Sequence, residues 1–189
     1  AAPAAPVPAV TYRAACAQAR RALLGALGGS APAQGVRLTV ELPLPAPGRA
    51  LTECVRPADD ALFPGGMRQR FRDSLRPMVD EMLDGMPGAP RFVGCLEDAA
   101  DGIGVWSCED YTVVTYVGDQ TFAPFRALMN GQYGERPTRA NHAIILVNPY
   151  WSEAANVGQP WQFELREDAR RLMAPSTDWR GGYAPRPGR

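Results

Sequence analysis

The 189-residue sequence contains no lysine; all 20 of its basic side chains are arginine. This excludes a phosphate-loop lysine, a Schiff-base lysine and a kinase-type lysine, each of which needs a primary amine on a flexible stem. Histidine is nearly as scarce. His142 is the single one, which excludes multi-histidine metal sites and leaves little room for imidazole acid–base catalysis. Net charge is absent as well: the 20 arginines balance 20 carboxylates, so no global field draws the chain to nucleic acid or anionic lipid. No apolar run approaches the ~20 residues that span a bilayer.

Cysteine pairing is missing too. Cys16, Cys54, Cys95 and Cys108 form no Cys-x-x-Cys motif and fall in different elements. With Asp98–Asp101 as a hairpin turn, Cys95 faces Gly104 and not Cys108. Free thiols in a reducing compartment are therefore expected. The sequence also lacks a Gly-x-Ser-x-Gly elbow, and Gly102-Ile-Gly104 has neither the third glycine nor the following helix of a dinucleotide fingerprint. No catalytic residue, cofactor or metal site emerges from these motifs.

What is present is a pattern of alternating helices and strands. The first ten residues are an Ala/Pro-rich, extended lead. They begin without an initiator methionine, as the stub of a removed targeting peptide or the start of an ordered region would. Thr11 is placed to cap a helix with apolar positions Tyr12, Ala15, Cys16, Ala19, Leu23 and Leu27, ended by Gly28-Gly29. Val36–Leu42 alternates as a strand, and Pro43, Pro45 and Pro47 stop it. Gly48–Phe63 has no period and reads as a long loop of functional or interaction character.

Met67, Phe71, Leu75, Met78 and Met82 mark an amphipathic helix, which Pro77 is expected to bend near its middle. Strands follow at Phe92–Leu96, Ile103–Cys108 and Tyr111–Val117, then a short helix at Thr121–Leu128. Ala143–Val147 is apolar on both faces, which places it centrally, between layers. A helix at about Phe163–Met173 precedes an Arg/Pro/Gly tail. The expected architecture is one α/β domain over residues 11–175, with a mixed sheet of about five strands and helices packed on it. Residues 176–189 form a tail.

Three features could carry function. Arg68, Arg72 and Arg76 share a helical row at i, i+4 and i+8, continued by Asp80 and Asp84. Cations toward the helix N-terminus and anions toward its C-terminus oppose the macrodipole. Such a stripe suits an acidic protein surface or a phosphate; the plainer alternative is a solvated face offset by tertiary partners. Asn148-Pro149-Tyr150-Trp151 ends the central strand, where ligands gather in open α/β sheets. With Trp161 and its Gly158–Gln162 segment, these residues could line a pocket or a partner's groove. Alternatively Asn148 caps backbone groups while Tyr150 and Trp151 close the core. Glu97, Asp98, Asp101, Glu109 and Asp110 cluster around the hairpin ends, but their spacing matches no calcium loop, and turn chemistry accounts for them. His142, just before the buried strand, reads as a satisfied structural histidine.

The segments VRLTVELPLP, FPGGMRQRFRD, FVGCLEDAADGIGVW, YTVVTYV and IILVNPYW, in that order, resemble a family of uncharacterised cyanobacterial and plastid domains. That family includes the plant low-photosystem-II-accumulation proteins, and one of its branches is fused to a plastid adenylate kinase. The likeness spans roughly Thr11 to Met173. It implies a plastid address, in the stroma or on the stromal face of the thylakoid, and a role in building or maintaining photosynthetic complexes. It brings no active-site residues to transfer, and the adenylate kinase portion is absent.

The leading expectation is a non-enzymatic factor that binds protein subunits of a photosynthetic complex. Its contact face would be Arg68, Arg72, Arg76, the Pro-rich loop after Leu42, Tyr150 and Trp151. Arg180, Arg186 and Arg189 of the tail would add a clamp that folds on contact. A competing expectation is a small-molecule enzyme or sensor with its pocket at Asn148, Tyr150, Trp151 and Trp161. A third is a peripheral protein of a plastid ribosome or transcription complex, without direct nucleic-acid contact. The chain ends soon after the last helix, so either sheet-completing strands are missing or an edge is left for a partner.

Overall fold

The computed structural model describes residues 11–28, 36–45, 51, 63–97, 102–150, 154–173 and 179–181. The expected loop at Gly48–Phe63 falls almost wholly outside these residues, as do the N-terminal lead, Cys54, Asp98, Asp101, Trp151, Arg186 and Arg189.

The first helix, α1 (Tyr12–Gly28), starts where the sequence places it, with the Ala14 N–H donating to Thr11 Oγ1 at 3.2 Å. Its small buried face of Ala15, Cys16 and Ala19, with Leu23, allows close approach to the second helical segment. That contact is fixed by polar bonds. The Cys16 thiol donates to the Met78 carbonyl at 3.3 Å, and the Arg20 Nε donates to the Met82 carbonyl at 3.1 Å. Arg20 thus satisfies a carbonyl that a helix C-terminus leaves open.

The second helical segment runs from Gly66 to Leu83 in three parts: α2 (Gly66–Arg70), a π-helical turn (Phe71–Leu75) and α3 (Arg76–Leu83). Pro77 lies in the first turn of α3. It has no N–H to offer the carbonyl four residues back, and the turn before it widens: the Arg76 N–H donates to the Phe71 carbonyl, five residues earlier. The disturbance expected as a bend takes the form of a π turn.

The sheet is mixed, in the order β2-β3-β4-β5-β1-β6. Strands β2 (Arg91–Cys95), β3 (Gly104–Ser107) and β4 (Tyr111–Thr115) form an antiparallel meander. Strands β4, β5 (Ala143–Val147), β1 (Arg37–Val40) and β6 (Trp179–Gly181) are mutually parallel. Cys95 pairs with Gly104, as expected, and the thiols of Cys16, Cys95 and Cys108 are free. One strand belongs to what the sequence suggested was a tail. Three residues between Gly- and Pro-rich flanks carry too little periodicity to announce a strand, yet β6 pairs with β1 and covers its outer edge. The domain therefore reaches at least residue 181.

Strand β5 explains the layering. It has parallel neighbours on both sides, and all five of its residues are buried. Ala143, Ile145 and Val147 enter one core with Ala15, Leu23, Leu75, Val79 and Met82 of α1 to α3. Ile144 and Leu146 enter the other with Phe122 and Phe125 of α4 (Phe122–Met129) and Leu165 and Ala169 of α5 (Phe163–Met173). Each fully buried Ile or Leu stabilises by about 1.5–3 kcal/mol. An Arg126–Asp168 ion pair at 2.5 Å ties α4 to α5. The result is a sheet with helices on both faces.

Candidate functional site

Strands β4 and β5 end in register, Thr115 opposite Val147. The next residue of each, Tyr116 and Asn148, turns into the left-handed region, with φ of 53° and 50°. Asn tolerates that conformation because its short amide can bond locally; for an aromatic residue it is an outlier that tertiary structure must hold. Here the holding is visible. The Tyr116 N–H donates to the Val147 carbonyl at 3.1 Å, and the Asn148 N–H donates to the Val40 carbonyl at 2.8 Å. Thr121 Oγ1 donates to the Tyr116 carbonyl at 2.8 Å and accepts from the Gly118 N–H at 2.8 Å.

The chain then leaves β1 and β5 toward opposite faces: β1 continues to α2 and α3 in one core, β5 to α5 in the other. In α/β sheets such a divergence opens a crevice beyond the strand ends. Asn148 closes it. Its Oδ1 accepts from the Leu42 N–H at 2.6 Å and its Nδ2 donates to the Leu42 carbonyl at 2.9 Å. The amide is buried, and both of its functions are engaged with backbone. That is the capping role weighed for Asn148 from the sequence.

Tyr150 lies beside it, its N–H on the Val117 carbonyl at 2.9 Å. Its ring meets Tyr116 edge-on, with centroids 6.2 Å apart. Position 118 must be glycine for this arrangement, because a Cβ there would sit 2.6 Å from the Tyr150 ring. Tyr116 itself is fully buried, and its hydroxyl has no hydrogen-bond partner among the described residues. An orphaned buried hydroxyl costs about 1–3 kcal/mol. Burial raises the Tyr116 phenol far above its ordinary range despite the opposing positive charge of Arg70, so the group stays a protonated donor. Arg70 is buried too, its guanidinium 5.4 Å from the Phe63 ring centre. The sequence drew attention to Arg68, Arg72 and Arg76 and passed over Arg70 and Tyr116. The signal for them was slight: an arginine one turn into an amphipathic helix and an aromatic just past a strand.

The arginine row is not a uniform stripe. The π turn alters the advance per residue between Arg68 and Arg76, and all three side chains are exposed. Arg72 pairs with its neighbour Asp73 at 2.7 Å. Arg76 lies 4.1 Å over the Phe92 ring and 3.9 Å from Asp80, which accepts the Trp106 indole N–H at 2.7 Å. The two acids are local partners in the same helical segment, and Phe92 is a tertiary one. Trp161 is 71% exposed and so lines no closed pocket with the buried Asn148. Arg180 is held in β6 opposite Leu38, where its backbone is part of the sheet.

Several other chemistry-bearing groups among the described residues are occupied. His142 Nδ1 lies 3.0 Å from the Glu109 carbonyl and must donate to it; Nε2, 2.8 Å from Thr112 Oγ1, then accepts from that hydroxyl. Burial lowers the His142 pKa, which keeps the ring neutral. Glu109 is bridged by Arg136 and Arg139 and held below the usual carboxylate range, chiefly by the Arg139 hydrogen bond. Burial pushes the Cys16 thiol up to about 11. Among the described residues no three His, Cys, Asp or Glu side chains converge as a metal site.

No family model matches this chain, and neither any curated protein nor any solved structure matches it. The resemblance to the plastid domains stands on the quoted motifs alone.

Proposed function

We propose that this chain is a non-enzymatic auxiliary factor that docks on a protein partner through the segment leaving β5 and entering α5, with the α2–α3 arginines, in the helix layer across the sheet, as a second and separate contact. One observation carries this reading. Trp161 and Phe163, two residues apart at the start of α5, are 71% and 73% exposed. Exposed aromatics this close in sequence are candidate anchors, because aromatics dominate the buried centres of protein interfaces. Two groups with catalytic potential, by contrast, are engaged in holding the fold: both His142 nitrogens are bonded and the Cys16 thiol is kept protonated.

The partner class follows from the motif resemblance: subunits of a photosynthetic membrane complex, met in the stroma or at the stromal face of the thylakoid. Among the described residues no helix is long and apolar enough to cross a membrane, which suits a peripheral association. Affinity purification from thylakoid and stroma fractions, with the co-purifying subunits identified, tests the class. Recovery of ribosomal or transcription subunits in their place would overturn it. Arg68, Arg72 and Arg76 changed together to Glu should weaken capture at low salt; unchanged recovery removes the arginines from the docking face.

A further inference from the structure

We propose that Arg166 is a positioning residue for the aromatic docking segment: it locks the turn ahead of α5, so that Trp161 and Phe163 stand in place before a partner arrives. The inference deepens the docking reading above and rests on it for its purpose; the lock itself is tested in the free chain.

The two aromatic side chains are exposed, but the backbone beneath them is held at both ends. Arg166 reaches back from the first turn of α5, donating from Nε to the Val157 carbonyl at 3.2 Å and from Nη1 to the Pro160 carbonyl at 3.5 Å. Val157 is fully buried, in the core that contains Leu165 and Ala169. One end of the turn is thereby fixed to the body of the domain. Gln162 closes the turn from within. Its Oε1 accepts the Gln159 N–H at 2.7 Å, and its own N–H donates to the Gln159 carbonyl at 2.9 Å. The Gln162 carbonyl then accepts the Arg166 N–H at 3.2 Å, which starts the helix. Gly158 makes the sharp entry, at a φ of 64° that favours glycine.

Water can serve the backbone of an exposed turn, yet here two side chains, Arg166 and Gln162, are committed to it. A guanidinium suits the task because it presents several N–H donors in one rigid plane and bonds two carbonyls at once. Pro160 fixes a further φ, immediately before Trp161. An anchor whose backbone is already ordered avoids the cost that a loose loop incurs when it is ordered on binding.

The test begins with NMR on the free chain. Backbone order parameters at Gln159, Trp161 and Gln162 should match those inside α5, at about 0.85. Arg166→Gln should speed exchange of the Gln159 and Gln162 amides about tenfold or more, with far-UV circular dichroism unchanged. Gln162→Ala, which loosens the same turn from within, should speed exchange at Gln159. A turn that is mobile in the wild type, or exchange unchanged in Arg166→Gln, overturns the lock. Affinity capture from thylakoid and stroma fractions then tests its purpose: Arg166→Gln should recover severalfold less partner than the wild type. Equal recovery by Arg166→Gln, where Trp161→Ala/Phe163→Ala loses the partner, overturns the positioning role and leaves the docking reading standing. A rigid turn on a wild-type chain that captures nothing overturns the docking reading, and the positioning role with it.

Discussion

The side-chain amide of Asn148 holds both backbone groups of Leu42, 106 residues away in sequence. It extends the β1–β5 pairing past the last ladder residue and seals the gap where the two strands part company. A residue that the sequence offers as a ligand contact is in this fold a clasp.

Asn148→Ala would strip partners from two buried Leu42 groups at once. At about 1–3 kcal/mol for each orphaned group, the variant should lose about 2–6 kcal/mol in urea unfolding. A loss under about 0.5 kcal/mol, within the range of an ordinary surface change, would contradict the clasp.

Gly118→Ala should cost about 1–3 kcal/mol by overpacking, because its new methyl group meets the Tyr150 ring. In a double-mutant cycle Tyr150→Ala should return most of that loss. Additive losses would mean that the ring does not lie against position 118.

How far these relationships could be read in the sequence depends on their range. Ala143–Val147 announces a central strand because five consecutive apolar residues have only one way to be buried on both faces. The Cys95–Gly104 register follows from one turn assignment. Both are local inferences with a period behind them. The Asn148–Leu42 clasp is not local, and an Asn after a strand looks the same whether it bonds a ligand or distant backbone. The arginine spacing assumes an α-helical repeat, which the π turn before Pro77 interrupts, and Arg72 and Arg76 of the row have separate partners. β6 is too short to show alternation. Tyr116 carries no motif; its interest comes from burial and backbone conformation, which only the folded chain possesses.

Native-state hydrogen exchange reads the layering directly. The amides of Ala143–Val147 should be among the slowest to exchange, opening only with global unfolding. Fast exchange there, at the level of the helix ends, would displace β5 from the centre of the sheet.

His142 gives the fold a pH dependence. Its folded-state pKa lies below the ordinary value of about 6.5, so the unfolded chain takes up the proton first. The stabilisation is full above about pH 6.5 and is lost as pH falls through the lowered folded-state value. Thermal midpoints measured from pH 7.5 to 5 should decline, and His142→Gln should flatten that decline. An unchanged slope in the variant would assign the effect to other groups.

The most direct measurement of the docking claim compares the wild-type chain with a Trp161→Ala/Phe163→Ala variant in quantitative affinity capture from thylakoid and stroma fractions. Both side chains are largely exposed, so the variant should fold and unfold as the wild type does. The account predicts a co-purifying photosynthetic subunit in near-stoichiometric amount with the wild type and its loss with the variant. Equal recovery by the two proteins, or no specific partner with either, would contradict it.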